Sequence, residues 1–200
     1  RFGYQQVYRR LPFNVRPFFG IKKEINPVTL GLCVQGYSYL SLCYPEKVES
    51  YKMKIDWCID KLIEFKSKGY SGACWGYNFD WEARYASIPA FTPTIVATGF
   101  ITNALFECHK LMGNTLAAEL CISASKFVMQ DINKTWFGSE FCYSYSPNDN
   151  QIVYNATMKG ARLLAQVYSL TGSGIYIDES KKTVNFVINN QNENGSWSYS

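Results

Sequence analysis

Histidine is almost missing from this chain: His109 is the only one in 200 residues. The seven cysteines, Cys33, Cys43, Cys58, Cys74, Cys108, Cys121 and Cys142, are odd in number and never spaced C-x-x-C. Together these scarcities argue against a metal site and against a fully paired disulfide framework. No cofactor is implied either, since the sequence has no G-x-G-x-x-G, no P-loop lysine motif and no G-x-S-x-G elbow. No apolar run approaches the ~20 residues of a membrane span, and no signal peptide is visible. The net charge of +4 is mild, and apart from Arg9-Arg10 and Lys22-Lys23 the basic residues are dispersed. That distribution argues against a nucleic-acid partner.

Most of the cysteines lie among apolar residues at helical spacing, where a reduced Cys acts as a small core side chain. A reducing, cytoplasmic setting is expected. The chain opens on Arg1 rather than Met, so an upstream segment, or a lost targeting signal, remains open.

What the sequence has in quantity is helical periodicity. Asn26–Cys43, Thr92–Gly113 and Gln151–Gly172 each begin with a turn or polar residue and then run apolar nearly all round. That pattern predicts buried helices. Pro27 and Pro93 stand where the start of a helix tolerates a missing N–H, and Gly113 and Gly172 where C-terminal caps belong. Each buried helix is followed by one that is apolar on a single face. The first shows Ile55, Cys58, Ile59, Leu62 and Phe65; the second Ala117, Leu120, Cys121, Ala124, Phe127 and Val128; the third Ile177, Val184, Val187 and Ile188.

A short aromatic tag follows each pair: Cys74-Trp75-Gly76-Tyr77, Cys142-Tyr143-Ser144-Tyr145 and Ser196-Trp197-Ser198-Tyr199. Such self-similarity predicts an all-α repeat of helix hairpins, an inner ring inside an outer ring, with hairpins near 26–68, 92–132 and 151–191. Three hairpins do not close a ring. The expectation is one domain over 1–200, about half of an (α/α)6 toroid, from a longer chain. Otherwise self-association or another partner covers the open end.

In such a ring the loops leading into the inner helices gather at one mouth, above helix N-termini whose free N–H groups suit anions. The longest, Gly69–Phe91, holds Asp80, Trp81, Glu82 and Arg84. Adjacent carboxylates can divide acid and base roles when their environments separate their pKa values. Trp75, Tyr77, Trp81, Tyr143, Tyr145 and Trp197 offer flat faces with polar edges, suited to stacking on sugar rings. The alternative is that Asp80 pairs with Arg84 to hold the loop while the tryptophans plug the mouth. Asp149 is a further candidate acid, and Asn155 and Lys159 lie near the start of the third inner helix. Lys159 either binds an anionic group or pairs with Asp149. His109, beside Lys110, is expected at the surface or as a helix cap.

The stretches GYSGACWGYNFDWEAR (69–84) and PTIVATGFITN (93–103), with 141–172 and 191–200, resemble a bacterial family of α/α toroids from surface-polysaccharide gene clusters. Members of that family often carry the label delta-aminolevulinic acid dehydratase. More distantly the chain is similar to six-hairpin toroid enzymes acting on sugars and to terpenoid cyclases. The stretch QNENGSW (191–197) resembles the cyclases' Q-x-x-x-G-x-W repeat, but their aspartate-rich motif is missing. The histidine pair of the sugar 2-epimerases has no match. The loop aromatics and carboxylates and the resemblance together point to a carbohydrate-active protein: a glycan hydrolase or lyase with Asp80 or Glu82 as acid/base and Arg84 and Lys159 holding a carboxylate or sulfate, or else a non-catalytic glycan-binding or scaffold protein. That reading leaves open whether the chain is an enzyme.

Overall fold

The computed structural model describes residues 6–7, 10–20, 23–82 and 87–198, with Glu82 described by its backbone alone. Among the described residues six long helices carry the fold: α1 (Pro27–Cys43), α2 (Val48–Glu64), α3 (Ile95–Met112), α4 (Thr115–Gln130), α5 (Tyr154–Thr171) and α6 (Gly174–Asn189). Each odd-numbered helix packs on the even-numbered helix that follows it, and α1, α3 and α5 pack side by side. The result is an inner layer of three helices backed by an outer layer, the hairpin repeat expected from periodicity.

Local chemistry sets the helix ends. Asn26 caps α1 by accepting from the Val28 and Thr29 N–H groups, Thr94 caps α3 through Ala97, and Asn114 caps α4 through Ala117. Gly113 and Gly172 close α3 and α5 at φ 69°, a left-handed turn that glycine adopts without a Cβ penalty. Pro27 is inside its helix as expected, whereas Pro93 lies one residue outside the Thr94 cap. The third inner helix starts at Tyr154, three residues later than Gln151.

Two small hairpins interrupt the all-helical reading. In the first, β1 (Trp81–Glu82) pairs with β2 (Ser87–Ile88) inside the long loop. In the second, β3 (Lys134–Phe137) pairs with β4 (Glu140–Tyr143) around Gly138 at φ 64°. The alternation in Lys134–Phe137 and a Gly-Ser turn are ordinary hairpin cues that the helical repeat overshadowed.

The outer helices bury their expected faces in two cases of three. Ile55, Cys58, Ile59 and Leu62 on α2 are buried, as are Ala117, Leu120, Cys121, Ala124, Phe127 and Val128 on α4. Helix α6 differs: its buried face is Glu179, Ser180, Thr183, Phe186 and Val187, while Ile188 is exposed. The polar members are all partnered. Glu179 accepts from Lys134 and from the Tyr143 hydroxyl, Ser180 donates to the Ala161 carbonyl, and Thr183 bonds Thr157 at 2.7 Å. Val184 and Ile188 instead face an apolar groove of about 490 Å³ alongside Val153, Met158 and Trp197.

The tags lock one hairpin to the next by the same bond. The Trp75 N–H donates to the Thr98 hydroxyl at 3.1 Å, and the Tyr143 N–H to the Thr157 hydroxyl at 2.9 Å. Both threonines are the fourth residue of their inner helix. The indole of Trp75 also donates to the Leu62 carbonyl at 2.7 Å, and that of Trp197 to the Val187 carbonyl at 2.7 Å. Each tryptophan therefore ties itself to the end of its own outer helix.

Candidate functional site

The loops that enter the inner helices meet at one end. Asn78 of the long loop donates to Glu24 ahead of α1, Trp81 stacks on Tyr145 at 6.4 Å, and the Ile95 N–H donates to the Tyr145 carbonyl. Phe91 is held at φ 62°, unusual for a bulky side chain, by bonds from its N–H to the Tyr77 carbonyl and from Ser67 to its own carbonyl.

Several residues expected to touch ligand prove structural. Trp75 and Tyr143 are both 0% exposed, so neither has a face to offer a sugar ring. The next hairpin covers both. Burial and the neighbouring Glu179 push the Tyr143 phenol well above its ordinary pKa. Asp149 is spent on a turn. Its carboxylate accepts from the N–H groups of Tyr145, Ser146 and Gln151 and from the Ser146 hydroxyl, at 2.6 to 3.0 Å. A carboxylate so occupied is a poor general acid and leaves no vacancy for Lys159. Asp80 accepts from the Ala90 N–H at 2.8 Å and so braces the long loop across the β1–β2 hairpin. Arg84 and the Glu82 side chain lie outside the described residues, so pairing of Asp80 with Arg84 is not visible.

The remaining expected residues divide between two places. Trp81, Tyr145 and Tyr77 form the aromatic mouth, Tyr77 being stacked on Phe79 at 5.2 Å. Asn155, exposed at the start of α5, and Trp197 both line the apolar groove at the far edge. Lys159 lies over the Phe100 ring, 4.0 Å from its centre, on the side of α5 that adjoins α3. Burial first, and the nearby Arg162 second, lower its pKa. His109 does act near a helix end, its Nδ1 lying 3.1 Å from the Asn114 carbonyl.

Sequence reasoning missed most of a third feature. The inner helices are not apolar all round; each leaves one stripe off the core. Counted from each helix start, the sixth residues are Leu32, Phe100 and Lys159, the ninth Gln35, Asn103 and Arg162, and the thirteenth Tyr39, Glu107 and Gln166. Residues at such three- and four-residue spacing share a helix face. Side-chain bonds run across the stripes. Tyr39 donates to Glu107 at 3.2 Å, Gln166 to Asn103 at 3.0 Å, and Arg162 to the Gly99 carbonyl at 2.7 Å. A Cβ on Gly99 would stand 2.6 Å from that of Lys159, so glycine is what lets α3 and α5 approach this closely. The signal was available in the charges themselves: Arg162 and Gln166 continue the Asn155–Lys159 spacing along α5.

Among the described residues no group of three or more His, Cys, Asp or Glu side chains is placed to hold a metal ion, and no helix is long and apolar enough to cross a membrane.

Comparison with known proteins follows this geometry. A solved α-1,6-mannanase of Salegentibacter sp. HEL1_6, an inactive variant in complex with α-1,6-mannotriose, superposes with a TM-score of 0.52 at 11% identity. The match covers 83% of this chain and 48% of the mannanase, so the chain spans about half the length of that protein. The family model for pectic acid lyase matches residues 123–199, from α4 through α6 to the third tag. No curated protein sequence matches. The chain has an α/α-toroid fold.

Proposed function

We propose that this chain is part of a carbohydrate-active protein, a glycan hydrolase or lyase, whose ligand lies along the concave face of the inner helices. The observation that carries this reading is the alignment of the three stripes, whose aromatic, amide and charged groups meet from one inner helix to the next. Rigid helices carrying aromatic faces and fixed polar groups suit sugar recognition. The mannanase caught with mannotriose and the pectic acid lyase model support the same class. Glu82 is the acid/base this reading retains; Asp80 positions its loop, and Arg84 follows two residues later in the sequence. The bacterial surface-polysaccharide likeness of 69–84 and 93–103 supports a cell-surface glycan, and seven free thiols support a cytoplasmic setting.

The competing reading is a non-catalytic glycan-binding or scaffold protein of polysaccharide assembly. It is favoured by the commitment of Asp149 and Asp80 to backbone N–H groups. Mass spectrometry of the protein incubated with acidic and neutral oligosaccharides separates the two. Cleavage with uptake of water marks a hydrolase, cleavage leaving a new double bond a lyase, and binding without covalent change the scaffold.

The three hairpins are read as about half of a ring. A fourth hairpin of the same pattern is the proposed occupant of the α5–α6 groove, its inner helix supplying the hydroxyl that the third tag's N–H lacks among the described residues. The half-length cover of the mannanase supports this.

A further inference from the structure

The described inner-face stripes carry two cations and one carboxylate, Glu107, which forms an ion pair with neither. Lys159 and Arg162 lie one turn apart on α5, at the same side of the helix, and neither forms an ion pair within 4.0 Å among the described residues. Their mutual repulsion is felt, since Arg162 lowers the pKa of Lys159, and burial lowers both. Like charges desolvated side by side are costly unless something negative joins them. The partners present do not neutralise them. Lys159 has the face of Phe100, and Arg162 has the Gly99 carbonyl.

Glu107 is the carboxylate whose field reaches Arg162. It belongs to the thirteenth level, bonded to Tyr39, whereas Lys159 is at the sixth. Seven residues of helix separate those levels, about 10 Å along the axis. The charge at the upper level is therefore uncompensated. Farther down the stripe, Arg162 Nε and Gln166 Oε1 are buried with no hydrogen-bond partner among the described residues. Such groups are uncommon in a finished interior and mark capacity held for something else. The pair stands in the second and third turns of α5, the inner helix that the Tyr145 loop leads into.

We propose that Lys159 and Arg162 form a subsite for an anionic substituent, a carboxylate or a sulfate, on the glycan bound along the inner face. Arg162 contributes a planar donor fork and Lys159 a compact point charge. Phe100 packs on the sugar's apolar face or on the Lys159 stem. The inference rests on the glycan reading above but is narrower: it selects acidic glycans over neutral ones.

The test is a binding titration of the intact chain with a uronic-acid trisaccharide, its carboxyl-reduced neutral counterpart and a sulfated analogue. The proposal predicts that an acidic sugar, carboxylated or sulfated, binds at least about tenfold tighter than the neutral one at low salt, an advantage that shrinks as salt screens the site. Lys159→Gln removes most of that advantage and Lys159→Arg keeps it, the advantage being read as the ratio of acidic to neutral affinity. Arg162→Gln acts in the same direction; because Arg162 also bonds the Gly99 carbonyl, the two Lys159 variants decide the matter if it fails to fold. Equal binding of acidic and neutral sugars, or an acidic advantage that survives Lys159→Gln, overturns the subsite while leaving the glycan reading intact. Failure of all three sugars to bind overturns both.

Discussion

The first two aromatic tags and the third are close in sequence and opposite in circumstance. Trp75 and Tyr143 are sealed at 0% exposure, with their N–H groups on Thr98 and Thr157 of the following inner helix. Trp197 keeps the same indole bond to its own outer helix, yet it is 42% exposed and borders an apolar groove. The difference is the presence of a succeeding hairpin. A tag is therefore a docking element between repeats, and its aromatic becomes core once the next inner helix arrives. Aromatic residues in loops at a toroid mouth are not by that fact sugar platforms.

Substitutions at equivalent tag positions sharpen the contrast. Trp75→Ala should cost about 3–5 kcal/mol in urea unfolding, since it removes a fully buried side chain and leaves a cavity. Trp197→Ala should cost about 1 kcal/mol or less while its face is open. Equal losses would break the comparison. At the third tag position, Gly76→Ala places a Cβ 2.0 Å from the Thr92 carbonyl oxygen, a backbone atom that cannot step aside. A loss of about 1–3 kcal/mol is expected from overpacking there; the serines at 144 and 198 show that the other two tags have room. Thr98→Val and Thr157→Val should each cost about 1–3 kcal/mol by stranding a buried N–H, measured in the same unfolding assay.

The smallest contrast is one of pH. Burial pushes the thiols of Cys74 and Cys121 up to about 12 and that of Cys58 up to about 11, from 9.0. The folded chain thus holds these protons longer than the unfolded one. Their contribution to stability is complete below pH 9 and is lost as pH rises toward 11 and 12. The urea midpoint should fall progressively above pH 9, and Cys74→Ala should flatten that fall. The third tag carries Ser196 in place of a cysteine and has no thiol to add to it.

The hairpin repeat was legible because burial imposes a 3.6-residue pattern that charge and polarity record directly. Caps at Asn26, Thr94, Asn114, Gly113 and Gly172 were written in single residues. The site was less legible for a physical reason: a lone sequence shows that Trp75 is aromatic but not which neighbour covers it. Asp149 looked like a free acid because turn N–H groups leave no trace in composition, although four donors converge on it. The inner-face stripes were hidden by their apolar surroundings. Phe100 reads as core on any scale, and only the level pairing with Lys159 across α3 and α5 exposes its position. On α6, the polar face turned inward because Glu179 and Thr183 find partners on β3, β4 and α5, leaving Val184 and Ile188 outside.

The most direct test of the central claim is hydrogen exchange of the chain with and without a bound acidic trisaccharide. The account predicts slowed exchange in the loop around Trp81 and in the Lys159–Arg162 turn of α5, with α6 and the groove near Ile188 unchanged. Protection confined to the α5–α6 groove and Trp197, with the inner face unaffected, would contradict it.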